Sequence, residues 1–201
     1  IWTRLRENDK ENVNILYERA KKMAEAASMM ANVDYDMQLI SGIYEIIPNR
    51  FGAGIIQKNF EILGEIEYTD YEINYANTIL KESGKELKGL DGKIKPIRPT
   101  IPAQGGSTDV GDVSQVVPVV RLSTTTAAKD GPWHSWAVVA CTGMSIGHKG
   151  MIYASKALAM TMLDLYENPK FVDGVKKEYI ERIGDRVYVP QIPPGPPKLV
   201  D

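Results

Sequence analysis

A chain of 201 residues, 43% hydrophobic and 25% charged, is long enough to bury a real core and has the composition of a soluble globular protein. Its formal net charge of −2 offers no basic field for nucleic acid and no polybasic patch for a membrane surface, and no apolar run reaches the roughly 18 residues that span a bilayer. A single cysteine, Cys141, excludes an internal disulfide framework, and the N-terminus lacks the basic-then-apolar layout of a secretory signal, so a cytoplasmic protein is expected.

The first residues, IWTRLREN, alternate Ile1, Thr3 and Leu5 with Trp2, Arg4 and Arg6, which reads as a strand already under way. Asn8 to Glu11 has the spacing of a capping box, and Val13, Leu16, Tyr17, Ala20, Met23, Ala24, Ala27 and Met30 then recur at three and four. That spacing predicts an amphipathic helix from Lys10 to Ala31. Tyr35, Met37 and Leu39 alternate with Asp36 and Gln38, so a second strand is expected, running to Ile47. Strand, helix, strand is too little for a domain and leaves open edges, so the chain reads as a fragment that starts in mid-domain.

Pro48-Asn49 marks a break. Phe51, Ile55, Ile56, Ile62 and Leu63 suggest a helix ending at Gly64, and TDYE, Thr69 to Glu72, is a capping box that opens another. From Gly84 to Gly106 the chain is rich in Gly, Pro and Lys and reads as a loop. VVPVVRL (Val116 to Leu122) and AVVACTG (Ala137 to Gly143) read as short strands, the first pushed to a sheet edge by Pro118. A long helix fits Ser145 to Glu167, stopped by Asn168-Pro169, and a last one carries Phe171, Val175 and Tyr179 before Gly184. The tail PQIPPGPPKLVD is expected to be extended. The resulting fold class is α/β.

Two stretches have the residue types for chemistry. GGSTDVGDVS, Gly105 to Ser114, puts three hydroxyls and two aspartates among three glycines. It lacks the Lys-Ser/Thr ending of a phosphate loop and the ligand spacing and final glutamate of a calcium loop. The plainer alternative is a capped turn whose aspartates accept local N–H groups. GPWHSW, Gly131 to Trp136, places His134 at the end of a loop, where ligands are often carried. One histidine cannot hold zinc, which needs three or four protein ligands. His148 follows 14 residues later at a helix start with no i,i+4 relation to His134. Taken alone, His134 reads as a packed, hydrogen-bonded side chain, His148 as part of a solvated first turn, and Cys141 as a small buried residue.

Taken together, GSTDVGDVS, WHSW and TGMSIGHKGM, with YERAKKMAEAA and GIYEIIPN upstream, resemble the C-terminal half of the dizinc amidohydrolases of the aminoacylase and glutamate-carboxypeptidase type, in their aminobenzoyl-glutamate utilization branch. The resemblance implies a catalytic α/β domain of dizinc exopeptidase type interrupted by a βαββαβ lid, or dimerisation, domain. Residues 1–47 would be the last βαβ of the lid, and 48–201 the C-terminal part of the catalytic domain. It implies that His134 is one ligand of a site for two divalent metals, zinc or manganese. The other ligands and the catalytic glutamate would come from the other half, so this chain alone is expected to hold no metal and to be inactive. Ser107, Thr108, Asp109 and Asp112 would contact substrate or orient the groups that do. The implied reaction is hydrolysis of an amide bond to an amino acid in a small N-acyl amino acid or aminobenzoyl-glutamate type substrate. Self-association through residues 1–47 is expected, with no nucleic-acid or membrane partner. Two other readings stand beside it. One is a non-catalytic association module that uses the βαβ piece and the Asp-rich loop. The other is a half-enzyme that pairs with a separately made N-terminal half.

Overall fold

The computed structural model describes residues 1–99, 106–192 and 194–196. Part of the predicted loop (100–105, including Gly105) and part of the proline-rich tail (193 and 197–201) lie outside the described residues. Within them seven helices form, and they fall into two compact units. The first unit comprises 1–48, 99–119 and 179–201; the second comprises 49–98 and 120–178. The sequence-based division into 1–47 and 48–201 differs from this one: the first unit also takes in Pro48, 99–119 and 179–201.

In the first unit, helix α1 spans Lys10–Ala31. Its cap lies one residue later than the spacing suggests: Asp9 accepts from the Asn12 amide at 2.8 Å and from the Asn12 side chain at 2.9 Å. Asn32, in the left-handed region at φ 53°, ends the helix, and the Val33 amide reaches back to the Ser28 carbonyl. No residue of α1 is buried; Val13, Leu16 and Tyr17 are half-buried, and Met29 and Met30 stand in solvent.

No strand forms among the described residues. The alternation of Tyr35 to Ile47 is real, but a strand exists through its ladder, and two of this segment's amides go to side chains instead. The Tyr44 amide donates to Asp112 Oδ2 at 3.2 Å and the Ile47 amide to Ser114 Oγ at 2.9 Å. Both acceptors belong to a helix expected as a loop, α4 at Val110–Val116. The run Val117–Leu122 is likewise without ladder pairing.

The second unit holds α2 (Arg50–Leu63), α3 (Asp70–Glu82), α5 (Trp136–Thr142) and α6 (Ser145–Glu167). It also holds most of α7 (Pro169–Ile183). AVVACTG, expected as a strand, is helical in α5. Ser135 caps it, and Ala137 and Cys141, four apart, share the face that enters the core. That core gathers Ala76, Ile79 and Leu80 of α3, Ala128, Ala137 and Cys141, and Ile146 of α6. Helices α2 and α6 are tied by polar groups as well as packing. Asn59 Nδ2 donates to Thr161 Oγ1 at 3.0 Å and to Asp164 Oδ2 at 2.8 Å, and the Phe60 and Tyr153 rings stack at 5.4 Å. Asn49 caps α2 and also donates to the Val175 carbonyl of α7 at 2.8 Å. None of the described helices is long and apolar enough to cross a membrane.

Candidate functional site

His134 stands at the entrance of α5, and the surrounding bonds fix its backbone. The Gly131 amide closes a turn onto the Ala128 carbonyl at 3.1 Å. Ser135 Oγ donates to the Pro132 carbonyl at 2.6 Å and accepts from the Ala137 amide at 3.2 Å, which spans the loop and caps the helix. Behind it, Ala137 and Cys141 are anchored in the core. Between these fixed points His134 adopts φ 57°, a left-handed conformation that ordinary side chains avoid, and its imidazole is exposed. Trp133 and Trp136 on either side are 73% and 53% exposed, so neither serves the core. The reading of His134 as a packed side chain is therefore replaced by an exposed imidazole on a strained, tightly tied loop.

The glycines of the neighbouring motif SIGHKGM are consumed by close backbone approach. A Cβ on Gly147 would lie 2.2 Å from the Thr142 carbonyl oxygen, and one on Gly150 would lie 2.3 Å from that of Thr125. Lys149 donates to Glu72 Oε2 at 2.6 Å and to the Glu67 carbonyl at 2.9 Å. Glu72, 2% exposed, also accepts from Ser145 Oγ at 2.6 Å and from the Thr69 amide at 2.8 Å. Burial pushes its carboxyl up, but the bonds from Lys149, Ser145 and Thr69 outweigh that and hold it at about 2. The TDYE box was legible in sequence; its second task, tying α3 to the start of α6, was not. His148 is exposed in the first turn of α6.

The Asp-rich stretch belongs to the other unit. Gly106 takes φ 68°, and Ser107 and Asp109 are exposed. Thr108 Oγ1 donates to Asp109 Oδ1 at 3.3 Å and accepts from the Val110 amide at 3.3 Å, so it organises the first turn of α4. Asp112 is half-buried, and its two oxygens are engaged by the Tyr44 amide and by the Tyr188 hydroxyl, the latter at 3.0 Å. A Cβ on Gly111 would lie 1.9 Å from the Tyr44 carbonyl oxygen, so only glycine lets α4 approach this closely. Arg186 extends the network, donating to Glu45 Oε1 at 2.7 Å and Gln115 Oε1 at 3.1 Å. Sequence reasoning found Asp112 and missed Tyr44, Glu45, Arg186 and Tyr188. The aromatic residues at both ends of the chain carried no spacing that would link them.

Among the described residues no three His, Cys, Asp or Glu side chains gather as a metal site. His134 has the chemistry of one metal ligand, and among the described residues no second and third ligand gather with it.

No protein-family model and no solved structure matches the chain. A curated protein does, one of the subunits of the p-aminobenzoyl-glutamate hydrolase of Escherichia coli (strain K12), at 25% identity over 214 aligned residues. The chain is a relative of that hydrolase component. The match covers 94% of this chain and 44% of the relative, so the chain spans less than half the length of the protein it resembles. The alignment agrees with the resemblance carried by the motifs.

Proposed function

We propose that this chain is one part of a metal-dependent amidohydrolase that cleaves the amide bond to an amino acid in a p-aminobenzoyl-glutamate type substrate. The observation that carries the reading is the match to the hydrolase component along 94% of the chain, with WHSW held as a strained, solvent-facing loop. In this reading His134 is one ligand to a pair of divalent metals, zinc or manganese, which would activate water and polarise the carbonyl when bound. The other ligands come from polypeptide that matches the rest of the relative's length. The chain alone holds no complete set and does not turn substrate over.

The tasks of the chain's own groups follow from their chemistry. Ser107 is a hydroxyl donor suited to a substrate carboxylate, and Thr108 would join it by turning its one O–H away from Asp109. Asp109, an acceptor only when ionised, would repel that carboxylate and is suited to the amide N–H instead. Asp112 is committed to Tyr44 and Tyr188 and acts by holding α4, and so the loop before it, in position. The α/β class and the lid-like role of residues 1–47 belong to this proposal too: the unladdered runs would pair only when neighbouring strands are supplied.

The test is complementation. The purified chain is mixed with polypeptide corresponding to the remainder of the relative, with zinc or manganese, and p-aminobenzoyl-glutamate cleavage is followed. Activity should require both parts and be lost in His134→Ala. Turnover by the chain alone would overturn the division of the site.

A second reading, a self-associating module, is favoured by one observation. Helix α1 has no buried residue, and its Met23, Met29 and Met30 are 72%, 76% and 89% exposed. Concentration-dependent sedimentation that Met23→Glu and Met30→Glu abolish would support it.

A further inference from the structure

The Gly-, Lys- and Pro-rich run after α3 takes no part in the proposed hydrolase chemistry, yet it builds one wall of a cleft of about 460 Å³ within the second unit. We propose that this cleft binds a small organic anion with an apolar body, an aryl or alkyl carboxylate.

Two extended segments make the cleft, and both are fixed. The Ile66 amide donates to the Gly92 carbonyl at 3.0 Å, and a Cβ on Gly92 would lie 2.0 Å from the Ile66 carbonyl oxygen, so the two backbones touch where only glycine fits. The Lys129 amide donates to the Gly89 carbonyl at 2.9 Å, which ties a third segment to the same wall. Ile66, Tyr68, Ile73 and Leu90 supply apolar surface to the cleft, and Tyr68 and Leu90 also pack on the core. The size is that of ordinary small-molecule sites, about 300–1,000 Å³.

The charge is unbalanced. Lys93, Lys95 and Lys129 line the cleft against Glu65 and Asp91, three cations to two anions; Asp130, outside the lining and paired with Lys88, also lies within electrostatic reach of Lys95 and Lys129. Two of those cations are drawn onto one oxygen: Lys95 Nζ and Lys129 Nζ lie 2.9 and 3.4 Å from Asp91 Oδ2. The hydrogen bond from Lys95, opposed by burial, holds the Asp91 carboxyl at about 2, so it is ionised throughout the working range. One carboxylate cannot neutralise two ammonium groups, and each ammonium keeps donors beyond the one it gives Asp91. A carboxylate bridging Lys95 and Lys129 would balance the triad, and an apolar body attached to it would cover the Ile66–Ile73–Leu90 surface.

Benzoate is the probe, with acetate as the same head group lacking the body. Amide chemical shifts of the full chain are followed by NMR during titration. The expected result is saturable change at Gly92, Lys93 and Lys129 with a Kd of about 1 mM for benzoate and about tenfold weaker binding of acetate. Lys95→Gln/Lys129→Gln exchanges two exposed side chains, should leave the rest of the spectrum in place, and should weaken benzoate at least tenfold. Shifts that do not saturate, acetate binding as tightly as benzoate, or a double variant that binds as the parent does would each overturn the proposal.

Discussion

If the loop around His134 is strained because the chain is held there, glycine and alanine must behave oppositely at that position. Both substitutions remove the same exposed imidazole, so they differ in backbone only. At φ 57° an alanine bears the left-handed penalty of about 1–2 kcal/mol, and glycine bears almost none. Glycine returns about 0.4–1 kcal/mol through its looser unfolded chain. The net expectation is that His134→Gly is more stable than His134→Ala by about 0.5–1 kcal/mol, a difference of about 1–4 °C in Tm for a chain of this size. Thermal unfolding followed by far-ultraviolet circular dichroism measures it. In the complementation assay both variants should be inactive, so stability and activity separate. Equal stability, or alanine above glycine, would mean that the loop is relaxed in solution and that no strain is stored at the imidazole.

The Glu72 node predicts an acid signature. Its carboxyl has a folded value of about 2 against an ordinary 4.5, so the stability it contributes is present above about 4.5 and is lost as pH falls towards 2. Glu72→Gln should cost about 2 kcal/mol at neutral pH, at the low side for a buried pair because Lys149 is partly in water, and should flatten the pH dependence of urea unfolding between those limits. An unchanged slope would remove the node from the account. Gly150→Ala should cost about 2 kcal/mol, since the clash at 2.3 Å is with backbone that cannot swing aside; hydrogen exchange along the first half of α6 should rise. Leu80→Ala, at a fully buried core position, should cost about 3 kcal/mol in denaturant unfolding.

Where the sequence was legible, local signals sufficed. The three-and-four spacing of α1 and the Asn-Pro stop of α6 give the observed bounds, Lys10–Ala31 and Ser145–Glu167, and TDYE forms the capping box it spells. The failures have a common cause: each local pattern was ambiguous and a distant partner decided it. AVVAC is apolar and β-branched enough for a strand, but Ser135 caps it, and the core buries Ala137 and Cys141 with Ala140 packed beside them. Residues 105–114 read as a flexible turn because Gly and Asp dominate; Gly111 and Asp112 are there to let α4 meet Tyr44, some 68 residues away in sequence. The alternation at Tyr35–Ile47 promised a ladder, and amides satisfied by Ser114 and Asp112 have none to give.

The same reasoning divides the motifs that look most like chemistry. In SIGHKGM, Gly147 and Gly150 are spent on backbone contact and Lys149 on Glu72, so the residues that make the string distinctive are packing and ion-pair residues, and His148 faces solvent with Ser145 and Met151. In GSTDVGDVS, Gly111, Asp112 and Ser114 fasten α4, which leaves Ser107 and Asp109 exposed. In WHSW the serine caps, and the histidine and both tryptophans are exposed. Motif residues that serve the fold should therefore act through stability: Ser135→Ala should cost about 1 kcal/mol, and His134 should follow it only indirectly. Motif residues that serve the site should leave stability nearly unchanged and act on complemented activity, as Asp109→Asn should. Were Asp109→Asn to unfold the chain and Ser135→Ala to leave it untouched, that sorting of fold from site would be reversed.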